Sequence, residues 1–122
     1  PDPVLHRREI VFEKALGRID VRDALECRAV HGVELHWHFA EDCEVRIDGR
    51  LIRARRGADK LEMSIPDGLQ AECVAGQEDP PLGWVSRRFD DKRPSPTVRC
   101  HGRIDGSAVL TTRITLRMGG RA

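Results

Sequence analysis

The chain has 122 residues, enough for one core, and 21 basic residues against 20 acidic ones leave a net charge of +1. That size excludes a catalytic module beside a separate binding module, and the balanced charge gives no bulk field to draw in nucleic acid. No apolar run approaches the roughly 20 residues of a membrane helix, so the chain reads as a soluble single domain over residues 1–122 without a membrane partner.

The chain opens on Pro1 with no Met and no charged, apolar leader, which reads as a processing or domain boundary. Strand signals then recur about every ten residues, and no apolar stripe has helical spacing, so the fold class is all-β, an antiparallel sandwich or meander. Val4 to Phe12 places Ile10 and Phe12 on one face with Arg8. Arg18 to Leu25 alternates Ile19 and Val21 with Arg18, Asp20 and Arg22. Gly17 between these runs suits a turn with positive φ, so they predict a hairpin. His31 to Ala40 carries the clearest alternation: Val33, Leu35, Trp37 and Phe39 share one face, and Glu34, His36 and His38 the other.

Cys43 to Ile47 and Leu51 to Ala54 are joined through Asp48-Gly49, a strong signal for a tight hairpin. Lys60 to Ile65, the turn Pro66-Asp67-Gly68 and Leu69 to Ala75 follow. Residues 77–96 read as a long polar loop holding Trp84 and Phe89, and loops of that length are functional or pack against something else. Thr97 to Arg103 and Ala108 to Arg117 form the last pair, across Asp105-Gly106. The four cysteines show no CxxC spacing and read as free thiols in strands.

His36 and His38, two apart on a strand, put both imidazoles on one face with Cα atoms roughly 6.5 to 7 Å apart, a spacing that can chelate a metal. A third ligand would come from Glu41, Glu44 or His31. The alternative is that each ring is hydrogen-bonded to a neighbouring strand. A cupin would add a following Glu and spaced glycines, but Gly32 is close to His36, Glu44 is distant from His38, and no third His follows Pro81-Leu82-Gly83. No Ser or Cys can be placed beside a His and an acid, so nucleophilic catalysis has no support. The 18 Arg against three Lys suit bidentate binding of carboxylate or sulfate, and equally reflect coding bias, since Asn and Tyr are absent.

His6-Arg7-Arg8, then Val33-Glu34-Leu35-His36-Trp37-His38-Phe39, then Pro80-Pro81-Leu82-Gly83-Trp84-Val85-Ser86-Arg87-Arg88-Phe89, followed by Lys92, Pro94 and the strand Leu110 to Ile114, occur in an order that resembles the C-terminal β-sandwich region of heparinase II/III-like polysaccharide lyases. Val85 stands where that family often has Tyr, and Arg87 where it often has Pro. The resemblance implies a bacterial protein, cytoplasmic or periplasmic, in which an upstream α/α toroid supplies most catalytic groups, Asn and Tyr among them. It implies β-elimination at a uronate of an acidic polysaccharide. A base takes the proton α to the carboxylate, the developing charge is neutralised, and the glycosidic oxygen leaves with help from an acid.

On that reading this chain carries no catalytic residue and no cofactor, and a metal belongs to the full-length protein. Trp84, Arg87, Arg88 and Phe89 are the candidates for substrate binding or docking to the toroid, aromatic and guanidinium groups being suited to sugar rings and acids. The alternatives are a stand-alone carbohydrate-binding module or a cupin-like module with His36 and His38 as metal ligands. An exposed first strand would favour self-association.

Overall fold

The computed structural model describes residues 2–78, 81–82, 84–88 and 91–119, and of 77–78, 81–82, 84–88 and 91–93 it describes the backbone alone. The strands are β1 (Leu5–Glu13), β2 (Arg18–Glu26), β3 (Val30–His38), β4 (Glu44–Asp48), β5 (Leu51–Arg56), β6 (Asp59–Ser64), β7 (Gln70–Val74), β8 (Gln77–Glu78), β9 (Pro81–Leu82), β10 (Trp84–Arg88), β11 (Asp91–Pro94), β12 (Thr97–Asp105) and β13 (Ala108–Arg117). A single 3-10 turn, Lys14–Leu16, is the only helical element among the described residues, so the all-β reading holds. Among these residues no helix is long and apolar enough to cross a membrane.

Two antiparallel sheets form the sandwich. The larger runs β1-β2-β13-β6-β5-β4, and the smaller runs β3-β12-β7. Alternation drives their assembly, because a strand with every second residue apolar hides that row only against another sheet. Val21, Leu25, Leu110, Ile114, Met63, Ile52 and Ala54 from the larger sheet are buried with Leu35, Val98, Cys100 and Ile104 from the smaller one. Ile52, Met63 and Val98 lose essentially all contact with solvent, each contributing about 1.5 to 3 kcal/mol of transfer free energy. The row predicted for the third strand is confirmed: Val33, Leu35, Trp37 and Phe39 all pack in this core.

Two of the predicted hairpins form, and the last predicted pair does not. β12 joins β3 and β7 in the smaller sheet while β13 joins β2 and β6 in the larger one, so Asp105-Gly106 carries the chain from one sheet to the other, a partner choice that a local turn signal does not specify. β1 pairs with β2 in unbroken register from Leu5 opposite Glu26 to Glu13 opposite Arg18. Gly17 closes that hairpin with φ of 60°, and a Cβ there would stand 2.7 Å from the Leu116 carbonyl oxygen. Any other residue would meet both penalties at once. β4 and β5 join across Gly49, also at φ of 60°.

Three further features differ from the sequence expectation. Residues 77–96 are not one irregular loop: β8 pairs with β9, and β10 with β11, with a bulge between Ser86 and Arg88. Strands of two to five residues are too short to display an alternation. Successive strands also do not stay in one sheet, since the chain crosses over between β2 and β3 and returns at β4. Alternation reports which face is apolar and says nothing about the neighbour. Finally, all four cysteines are free, but Cys27 lies just past the end of β2 and Cys43 just before β4, so only Cys73 and Cys100 are strand residues.

β1 is an edge strand. Ile10 and Phe12 stand opposite the inward residues Val21 and Ile19, yet remain 61% and 58% exposed, because the smaller sheet does not extend over them.

Candidate functional site

A polar cluster on the inner side of the sandwich centres on Asp23. In β2 the inward row is Ile19, Val21, Asp23, Leu25, so period two carries a carboxylate into an apolar row. It is fully buried. Arg8, directly opposite on β1, donates from Nε to Oδ1 at 2.7 Å and from its terminal nitrogen to Oδ2 at 3.2 Å. His6 Nε2 lies 2.7 Å from Oδ1. The Arg8 guanidinium also sits 5.4 Å from the centre of the Trp37 ring, joining the larger sheet to the smaller one through a cation–π contact.

Burial alone would raise the Asp23 carboxyl. The hydrogen bonds from Arg8 and then His6, with the charges behind them, outweigh that penalty and hold it below the usual carboxylate range. Because Arg8 and Asp23 neutralise each other and both carboxylate oxygens are engaged, the cluster acts as a clasp between the edge strand and the core. Reading the sequence for chemistry passed over Asp23; its signal was a charged residue in phase with Ile19, Val21 and Leu25.

The outer face of the smaller sheet holds the paired histidines. Their ring centres are 6.3 Å apart and edge-to-face. His38 Nδ1 is 3.0 Å from the Thr97 hydroxyl on the facing strand, the neighbour-strand hydrogen bond considered from sequence. His36 Nε2 lies 3.6 Å from Glu34, too far for a hydrogen bond. Arg99, opposite His36, forms ion pairs with Glu34 and Glu72 and spends its charge within the sheet.

Two of the expected third ligands, Glu44 and His31, are not brought to this pair. Glu44 is bound to Arg55 at 2.7 Å on the larger sheet. His31, at an odd position on β3, faces the opposite side from His36 and His38 and contacts Asp2 at 2.6 Å.

Trp84, Arg87 and Arg88 lie on β10, where Trp84 is opposite Pro94 and Arg88 opposite Asp91; Phe89 lies outside the described residues, as do the side chains of the other three. The β10–β11 hairpin pairs with neither large sheet, so its backbone stands as a separate two-stranded unit.

Residues 1–115, which include the clasp, the histidine pair and this hairpin, match the family described as heparinase II/III-like, C-terminal. The chain belongs to that family. The resemblance carried by the H-R-R, V-E-L and P-P-L-G-W segments is therefore confirmed. The fold is similar to that of the heparan sulfate lyase HepC from Pedobacter heparinus, with a TM-score of 0.78, 16% identity and coverage of 96% of this chain. It is also similar to a heparinase III, the BT4657 gene product, with a TM-score of 0.74, 16% identity and coverage of 93% of this chain. In both cases the overlay spans 18% of the lyase. Among curated proteins, none matches the chain.

Proposed function

We propose that this chain is the C-terminal β-sandwich region of a polysaccharide lyase that cleaves a uronate-containing acidic polysaccharide by β-elimination, and that its own part is structural and substrate-supporting. The observation that carries the reading is the family match over residues 1–115, joined to an overlay on only 18% of the two lyases. The groups that abstract the α-proton and protonate the leaving oxygen belong to the remainder of such a protein, an α/α toroid.

Within this division of labour the β10–β11 hairpin meets the toroid or lines one wall of the cleft. Trp84 and Phe89 offer flat apolar surface to a sugar ring, and Arg87 and Arg88 offer fork geometry to carboxylate or sulfate. That the backbone of β10 and β11 pairs with neither large sheet supports this reading. The uncovered inner row of β1, Ile10 and Phe12, supports the same assignment, since apolar residues on a core-facing row gain from being covered by a further segment.

The test is lyase activity of the full-length protein on heparan sulfate and other uronate polymers, followed by the ultraviolet absorbance of the unsaturated product. The full-length protein should generate unsaturated ends and this chain alone should not. Arg87→Ala with Arg88→Ala should raise KM with little change in kcat if the pair contacts substrate. Cleavage by the isolated chain, or failure of the full-length protein to cleave any uronate polymer, would overturn the proposal.

A further inference from the structure

At the crossover between the two sheets, Asp2, Cys27 and His31 converge. One ligand atom from each lies within 4.8 Å of the other two. All three residues are partly buried, and they come from three places: the segment leading into β1, the end of β2, and the second residue of β3. We propose that Asp2, Cys27 and His31 form a binding site for a divalent transition metal of the zinc class, with a fourth position open to water or another ligand.

The donor set suits that ion. A thiolate, an imidazole and a carboxylate are the three side-chain ligands zinc takes, and a soft sulfur beside nitrogen and oxygen disfavours calcium and magnesium. With metal–ligand bonds of about 2.0 to 2.3 Å, tetrahedral donors stand roughly 3.3 to 3.7 Å apart. His31 Nε2 and Asp2 Oδ2 are 2.6 Å apart, closer than that range, and all three donor atoms lie within 4.8 Å of one another. Loading the site therefore requires His31 and Asp2 to exchange their direct contact for one through the ion, a shift within reach of side-chain rotation.

Surrounding bonds hold the ligands in place, as second-shell partners do in metal sites. Asp2 Oδ2 accepts the backbone N–H groups of Arg28 and Ala29, each at 2.9 Å. The Ser107 hydroxyl accepts the Cys27 N–H and donates to the Cys27 carbonyl, both at 3.2 Å, which fixes the backbone carrying the sulfur. Asp2 and Cys27 line one open cleft together with Glu26 and Ser107, which gives an ion a route in and leaves its fourth position facing solvent. A bound ion would tie the segment entering β1 to the crossover that joins the sheets.

The test uses the purified chain stripped of metal. Titration with Co2+ should saturate at one equivalent with a thiolate-to-cobalt charge-transfer band, and Zn2+ should displace the cobalt. Cys27→Ser should abolish the band, and His31→Ala and Asp2→Ala should each weaken binding at least tenfold, whereas His36→Ala with His38→Ala should bind as the parent does. If Cys27→Ser does not fold, protection of Cys27 from iodoacetamide by Zn2+ in the unmodified chain, read by peptide mass spectrometry, provides the same test. No saturable binding at micromolar metal, cobalt bound without the sulfur band, unprotected Cys27, or loss of binding in the His36 and His38 variant would each overturn the proposal.

Discussion

Replacing Arg8 with Met tests the clasp around Asp23. The guanidinium supplies two of the three hydrogen bonds to a carboxylate with no solvent exposure, while itself remaining 42% exposed. Removing one partner of a buried ion pair costs about 3 to 5 kcal/mol, because the other charge is left without compensation. The exposure of Arg8, and the His6 contact that survives, place Arg8→Met at the lower end, about 3 kcal/mol. Asp23→Asn removes the buried charge instead and lets the half-exposed Arg8 and His6 return to water, so about 1 to 2 kcal/mol is expected. The double variant Arg8→Met with Asp23→Leu replaces both partners by apolar groups and should recover most of the Arg8→Met loss. Equilibrium urea unfolding, followed by tryptophan fluorescence and circular dichroism, measures all three. The folded Asp23 carboxyl is held below its unfolded value of 3.8. Its contribution is therefore fully present above pH 3.8 and is lost as pH falls through the lower folded value. The part of the midpoint that Asp23 sets should not change with pH near neutrality and should drop below pH 3.8 in the parent, with less of that drop in Asp23→Asn. A cost for Arg8→Met no greater than that of Asp23→Asn would refute the reasoning.

Gly17→Ala should cost about 2 kcal/mol in the same assay, because the new Cβ would stand 2.7 Å from the Leu116 carbonyl oxygen on a residue held at φ of 60°. Gly49→Ala shares that φ but meets nothing within 4 Å, so its cost should be smaller. Burial pushes the Cys100 thiol up to about 11, so at pH 7.5 it should resist alkylation in the folded chain while the exposed Cys73 reacts first; mass mapping of labelled peptides decides the order. The edge strand β1 should support concentration-dependent self-association, and Phe12→Lys should reduce it in light scattering, since it places a charge on the uncovered row. A monomeric parent at high concentration would remove that expectation.

Much of the fold was legible in the residues because strand chemistry is local. The row Val33, Leu35, Trp37 and Phe39, the Asp48-Gly49 turn and Gly17 each state a backbone geometry within a few positions, and each is found in place. The ordered segments from His6 to Ile114 likewise point to the heparinase II/III-like family without any tertiary information, since a family match is a property of order and spacing.

The candidate sites were only partly legible. His36 and His38 share a face as their spacing requires, but sequence could not show that Glu44 is committed to Arg55 and His31 to Asp2. Asp23 is in phase with Ile19, Val21 and Leu25 in the sequence, but only the facing strand shows that Arg8 and His6 are set against it. Sequence by itself determined which residues alternate, where the chain turns and which family it belongs to, all consequences of neighbours along the chain. Tertiary structure alone decided which strands share a sheet, which charge is buried, and that Asp2, Cys27 and His31 meet, because each depends on contacts that close loops between distant residues, and nothing in local periodicity specifies where such a loop returns.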